Sequence, residues 1–285
     1  MDAAGAVPAR TVETHDAEAL VVRHSGTTRI THWVTVVAFV VLLMSGLQIF
    51  NAAPYLDASD KSNPQRRILE IGADTAIPGK SAGVVRIFGH SFGAGNVLGY
   101  TDDGAGGVAE RAFPGWITLP GYQALADGRR WHLFFGWVLV VCGVAYFIAG
   151  FRRKDLQALI LRRADLPKLL PMQLYYFRLR KDPPPYGRYN PLQKAAYTLV
   201  LFVFTPLIVI TGLALSPGMD AIAGPLTTVF GGRQFARLWH FLLMVALIGF
   251  VCVHITLVAS TGVVNNLRSM ITGKYQLGKH EGDGP

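Results

Sequence analysis

Apolar and polar positions divide this chain into blocks. Residues 30–50, 132–150, 195–215 and 238–261 are almost free of charge, and each is close to the roughly 20 residues that a helix needs to cross a hydrocarbon core. A large soluble protein can bury one helix of this length. Four in one chain predict an all-α membrane protein, a four-helix transmembrane bundle. The polar blocks give the remaining organisation: a disordered leader at 1–22, the four-helix domain at 23–275 with a long loop at 51–130 and a basic loop at 151–192, and a tail at 276–285.

Composition supports this division, and charge gives it a direction. Hydrophobic residues make up 51% of the chain and charged residues 16%, too apolar for an ordinary soluble domain. A net charge of +9 raises the question of nucleic acid, but the excess is concentrated in the 151–192 loop. Ten basic residues there face only Asp155, Asp165 and Asp182, whereas 51–130 is balanced and 216–236 holds one Arg and one Asp. Short cytoplasmic loops collect Lys and Arg, so the basic loop lies inside, against lipid, and no nucleic-acid partner is expected. Both termini are then cytoplasmic, and 51–130 lies outside. Residues 1–20 lack the apolar core of a cleavable signal, so the first span is expected to direct insertion. Cys142 and Cys252 fall within spans and form no CxxC pair, which excludes covalent c-type haem.

The loops carry their own signals. GHSFGAGNVLGY and TDDGAGGVAE make 51–130 glycine-rich, and the stretch is read as an extracytoplasmic cap that touches the membrane through Phe113, Trp116 and Tyr122. GAGNVLG is not a phosphate loop, because neither a strand before it nor an amphipathic helix after it is evident. KDLQALILRRADLPKLL mixes apolar and basic residues as an interfacial helix does. KDPPPYGRYNPLQK is a proline-rich turn into the third span.

Histidines inside the spans carry the chemistry. An ionisable group in lipid is costly and marks function by default. His240 and His254 are fourteen residues apart, which places them about 21 Å apart along a helix and within roughly 40° of one face. They cannot share one metal ion, whose ligand bonds are about 2 Å. Two centres at two depths follow. His32 opens the first span from inside and His132 opens the second from outside, so the pairs are His132 with His240 and His32 with His254. Facing imidazoles in an apolar bundle suit the iron of a b-type haem, and two such pairs predict two haems. Gly46 follows His32 by fourteen residues and would let a porphyrin approach the backbone; Gly136, Gly143, Gly212 and Gly249 could do the same. Arg29, Arg129, Arg130, Arg233 and Arg237 flank these levels and could pair with haem propionates or with lipid headgroups.

The motifs RITHW, LMSGLQIFNA, LADGRRWHLFFGW, RYNPLQK, FGGRQFARLWHF and VNNLRSMITGKY cover most of residues 22–275. With the four histidines, they resemble the dihaem cytochrome b subunits of bacterial membrane oxidoreductases. Those subunits include the nickel–iron hydrogenase cytochrome b, the formate dehydrogenase gamma subunit and the thiosulfate-reductase type, all similar to cytochrome b561. The resemblance implies haem ligation by His32, His132, His240 and His254, and a multi-pass place in the bacterial inner membrane. It also implies a quinone site beside the inner haem, where Asn190 and Gln193 match the family's YN-x-x-QK stretch, although Leu192 replaces a Gly found in those relatives.

The function so implied is electron transfer between the quinone pool and a periplasmic redox partner. That partner is expected to be a molybdopterin oxidoreductase of thiosulfate-reductase or sulfite-oxidase type. The alternative is a stand-alone cytochrome b561-type superoxide:quinone oxidoreductase or ferric reductase. Such proteins have short loops, and the long 51–130 block argues against that reading. A histidine-based proton transporter is disfavoured, because the spans hold neither broken helices nor carboxylates.

Overall fold

In the computed structural model, which describes residues 20–74, 82–154, 156–187, 189–222 and 225–276, each apolar block lies in one long helix. These helices are Gly26–Phe50, Leu125–Arg152, Pro191–Leu215 and Arg233–Ser260, the first to fourth spans. Each starts several residues before its uncharged block, because hydropathy marks the part suited to lipid while local bonds set the helix end. The Ser25 hydroxyl caps the first span by accepting from the Thr28 N–H at 3.2 Å. Asn190 caps the third by accepting from the Gln193 N–H at 2.9 Å. One turn of π-helix at Val200–Phe204 interrupts the third span just before Pro206, which has no N–H to donate. None of the fourth span's apolar window is buried inside the protein. A helix so apolar and so open to its surroundings belongs in lipid. The first span packs on the second, and the third on the fourth.

The expectation of an all-α protein with a loop at 51–130 fails at that loop. Among the described residues the chain forms eight short strands, β1 to β8. Six of them build a cap between the first two spans. Strands β2 (Tyr55–Asp57), β3 (Arg67–Asp74), β4 (Ala82–Ile87) and β5 (His90–Gly95) form an antiparallel sheet in that order, and β6 (Gly99–Asp102) pairs with β7 (Val108–Arg111) as a hairpin. Some of the glycines that gave this stretch its loop-like composition mark close approaches, whereas Gly89, Gly93, Gly95 and Gly106 face open space. A Cβ on Gly83 would stand 1.7 Å from the Leu98 carbonyl oxygen, next to a bulge in the β4–β5 register.

Cap and spans share one core. Phe50, Leu56, Ile71, Ala112 and Leu238 form a buried cluster that joins the end of the first span, the sheet and the start of the fourth span. Phe113 packs on Phe50 with ring centroids 5.6 Å apart, so it belongs to this core rather than to the membrane surface, whereas Trp116 and Tyr122 are exposed. Polar ties reinforce the seam. Asn51 exchanges hydrogen bonds with the Phe113 backbone in both directions, at 2.8 and 3.2 Å. The buried Arg111 guanidinium donates to Gln48 Oε1 at 2.9 Å, Thr118 Oγ1 at 3.0 Å, and the Asp103 and Gly121 carbonyls at 2.8 Å. Arg237 donates to the Ala53 carbonyl and lies 5.4 Å from the Phe50 and Tyr55 ring centres.

At the opposite end, the interfacial helix expected from KDLQALILRRADLPKLL is broken into a turn at Leu156–Leu159, a 3₁₀ turn at Arg163–Lys168 and a helix at Leu169–Tyr176. Asp165 caps the 3₁₀ turn by accepting from the Arg162 N–H at 3.0 Å, which holds its carboxyl below the usual range. Asp165 also pairs with Lys194 of the third span at 3.1 Å. Beyond the fourth span, the helix Val263–Thr272 leads to β8 (Lys274–Gln276), which pairs antiparallel with β1 (Leu20–Val22). Both ends of the described chain therefore meet at this basic end. Residues 20–22, assigned to the leader, are a strand; 1–19 and 277–285, the rest of the leader and tail, lie outside the described residues.

Replacing Arg111 by Met leaves two carbonyls, an amide and a hydroxyl without their buried donor, at a cost on the order of 3 kcal/mol. The expected result is faster proteolysis within 51–124 with unchanged helical circular dichroism; equal resistance to the protease would show that the seam does not depend on this side chain.

Candidate functional site

The helix ends bring the four span histidines together in the pairs that their depths predict. His132 of the second span and His240 of the fourth face each other at the cap end, with ring centroids 6.1 Å apart. His32 of the first span and His254 of the fourth face each other at the basic end, at 6.4 Å. Spacing tests what could lie between them. Two metal–nitrogen bonds of about 2 Å plus two ring radii of about 1 Å separate the centroids of two axial imidazoles by about 6 Å. Each pair thus fits a single iron held from both sides. Among the described residues no group of three or more His, Cys, Asp or Glu could hold a metal, and each pair offers two imidazoles, a donor set that suits a haem iron.

The surroundings differ between the two ends. His132 Nδ1 lies 3.1 Å from both Ser45 Oγ and the Leu42 carbonyl oxygen. His240 Nδ1 lies 3.0 Å from Thr211 Oγ1. At the basic end, His32 Nδ1 is buried without a hydrogen-bond partner. His32 meets Trp33 edge to face at 5.2 Å, and His254 stacks on Phe250 at 5.7 Å. Trp33 Nε1 donates to the Met270 carbonyl at 3.0 Å and Arg29 donates to the Ile271 carbonyl, which fastens the helix Val263–Thr272 beside the basic-end pair.

The span glycines differ in what surrounds them. A Cβ on Gly46 would stand 3.3 Å from His132 Cε1, and one on Gly212 would stand 3.2 Å from His240 Cε1. Both therefore clear space for a histidine ring. A Cβ on Gly136, Gly143 or Gly249 would meet open space.

The arginines and the third-span motif also have defined neighbours. Arg130 is 81% exposed and pairs with Asp127 at 3.1 Å. Arg29 and Arg237 stand at the two levels, and each already donates to a backbone carbonyl. Asn190 is buried and forms a reciprocal capping box with Gln193, while its Nδ2 donates to Tyr176 Oη at 3.0 Å. Sequence reasoning passed over Ser45 and Thr211. Their signal is a hydroxyl followed at once by glycine, in one helix of each packed pair.

The family model for prokaryotic cytochrome b561 matches residues 23–273. A protein of Azospira oryzae, described as a proposed protein-methionine-sulfoxide reductase subunit, YedZ1, is 29% identical over 257 residues, covering 86% of this chain and 93% of the relative.

Removing the Asn190 side chain deletes one helix cap and the tie to Tyr176. Asn190→Ala should cost about 1–2 kcal/mol and lower the melting temperature, with Asn190→Asp recovering most of the loss because it keeps an acceptor for the Gln193 N–H. Equal melting of Asn190→Ala and the parent would remove the capping role.

Proposed function

The chain belongs to the prokaryotic cytochrome b561 family, a family of multi-pass bacterial membrane proteins, and from that premise we propose that it is a dihaem electron-transfer subunit. It carries electrons across the membrane between the quinone pool and a redox partner docked on the cap. The observation that supports this most directly is the presence of two facing histidine pairs, at 6.1 and 6.4 Å, with one member of each on the fourth span. His132 and His240 would hold one b haem, and His32 and His254 the other. Each haem, when bound, supplies a one-electron iron couple.

The chain's own groups prepare these places. Ser45 and Thr211 orient the cap-end rings, and the apolar spans keep water from both levels. Arg29 and Arg237 retain N–H groups beyond those used on carbonyls, since a guanidinium has five donors, and these suit propionates. Arg130, paired with Asp127 in solvent, is the least suited of the three. Quinone is assigned to the basic end, where Asn190 and Gln193 start the third span and Tyr176 holds the Asn190 amide.

Orientation follows from charge. The basic loop and both termini are assigned to the cytoplasm and the cap to the periplasm, because short cytoplasmic loops collect Lys and Arg. An ordered cap whose core is continuous with the first and fourth spans suits a docking platform better than it suits a stand-alone reductase. The description of the Azospira relative as a reductase subunit also supports a subunit role. We assign the partner to the periplasmic molybdopterin oxidoreductases. If the relative's substrate class carries over, electrons run from quinol toward the cap.

Pyridine haemochrome on the purified protein should give two b haems per chain, and quinol should reduce both. His240→Ala should lose the cap-end haem and His32→Ala the other. Full retention of both haems in either variant would overturn the ligand assignment.

A further inference from the structure

We propose that Ser45 and Thr211 are positioning residues that fix the tautomer of His132 and His240 and strengthen their donation to iron, so that the cap-end haem is held at a lower reduction potential than these histidines alone would give it. The proposal rests on ligation of that haem by His132 and His240.

The argument begins with the hydroxyl protons. Each hydroxyl has one proton to donate. Ser45 Oγ lies 2.6 Å from the Val41 carbonyl oxygen, and Thr211 Oγ1 lies 2.8 Å from that of Leu207, in both cases the carbonyl four residues earlier in the same helix. The proton is committed there, so toward the imidazole each hydroxyl can only accept. The neighbouring carbonyls are acceptors too: Leu42 at 3.1 Å from His132 Nδ1, and Ile208 beside His240. A ring nitrogen surrounded only by acceptors must carry the hydrogen. Nδ1 is therefore protonated in both rings, and Nε2 keeps the lone pair that a metal requires.

Electron donation follows from the same bonds. A hydroxyl that is itself donating is polarised into a better acceptor. An imidazole that donates through one nitrogen becomes more basic at the other. A more basic Nε2 stabilises the higher oxidation state of bound iron, which lowers its potential. At the basic end the same device is missing from His32, whose buried Nδ1 has no partner. The two levels thus differ by construction.

The device is built twice. Ser45-Gly46 on the first span faces His132 on the second, and Thr211-Gly212 on the third faces His240 on the fourth. The glycine brings the helix close enough for the preceding hydroxyl to reach Nδ1. A side chain at that position would press on Cε1 from the 3.2 to 3.3 Å where its first carbon would begin.

Thr211→Val, which keeps the branched shape without the hydroxyl, and Ser45→Ala are to be compared with the parent by haem content, potentiometric titration and low-spin EPR. The signal absent from His240→Ala identifies the cap-end haem. Both variants should keep two haems per chain. Thr211→Val should favour the reduced cap-end haem by about tenfold, a rise of 59 mV for one electron. Ser45→Ala should shift it the same way by less, since the Leu42 carbonyl remains beside His132. The basic-end haem should not move, and Thr211→Ser should restore the parent values. Unchanged cap-end potential and EPR signal in the double variant would overturn the proposal, as would haem loss in Thr211→Val with no shift in Ser45→Ala. Retention of both haems by His240→Ala would instead overturn the ligation on which the proposal rests.

Discussion

A polar side chain is costly to bury in hydrocarbon without a partner, and the way this cost is met organises the cap end of the bundle. An imidazole there presents two nitrogens. Ser45 and Thr211 satisfy one in each ring while satisfying themselves on their own helix's carbonyls. The other nitrogen remains for whatever lies between the rings. Helix contacts follow from the same need, because the hydroxyl reaches the ring only if its helix approaches closely, and the next residue is therefore glycine.

The cap extends this arrangement out of the membrane. Three residues beyond Ser45, the Gln48 side chain accepts from the buried Arg111, and a Cβ on Gly128 at the start of the second span would stand 2.9 Å from Gln48 Cγ. One short segment of the first span thus touches the His132 ring, the second span and the β cap. On the fourth span Arg237 does the corresponding work three residues before His240, on the Ala53 carbonyl. A partner bound to the cap would rest on a surface held within a few residues of both cap-end histidines.

Much of the bundle was legible in the sequence because lipid reduces the problem to one dimension. Depth follows from position along a span, and face follows from helical period, so His32, His132, His240 and His254 could be paired before any contact was known. The cap was not legible. Its strands are short, and glycines such as Gly83, needed where the chain leading into β6 passes close to β4, make the composition look like that of a loop. The break at 160–162 was hidden because the apolar and basic pattern of the segment suits a continuous helix, and the capping bond from Arg162 to Asp165 is a local choice that the pattern does not encode. Asn190 and Gln193 were read through a family motif, and their part in starting the third span went unread. Ser45 and Thr211 escaped notice because their partners sit on other helices, and an isolated hydroxyl in a span has no periodicity to expose it.

The fourth span contributes one ring to each pair, whereas the first and second spans contribute one ring each and the third contributes none. It therefore acts as a common shaft. Rotating it about its axis would swing His240 and His254 together, since they share nearly the same face. The two ends of the bundle are geared to each other through that helix, and a change that realigned one centre by turning it would misalign the other. Independent adjustment of either end is left to the side chains around each ring.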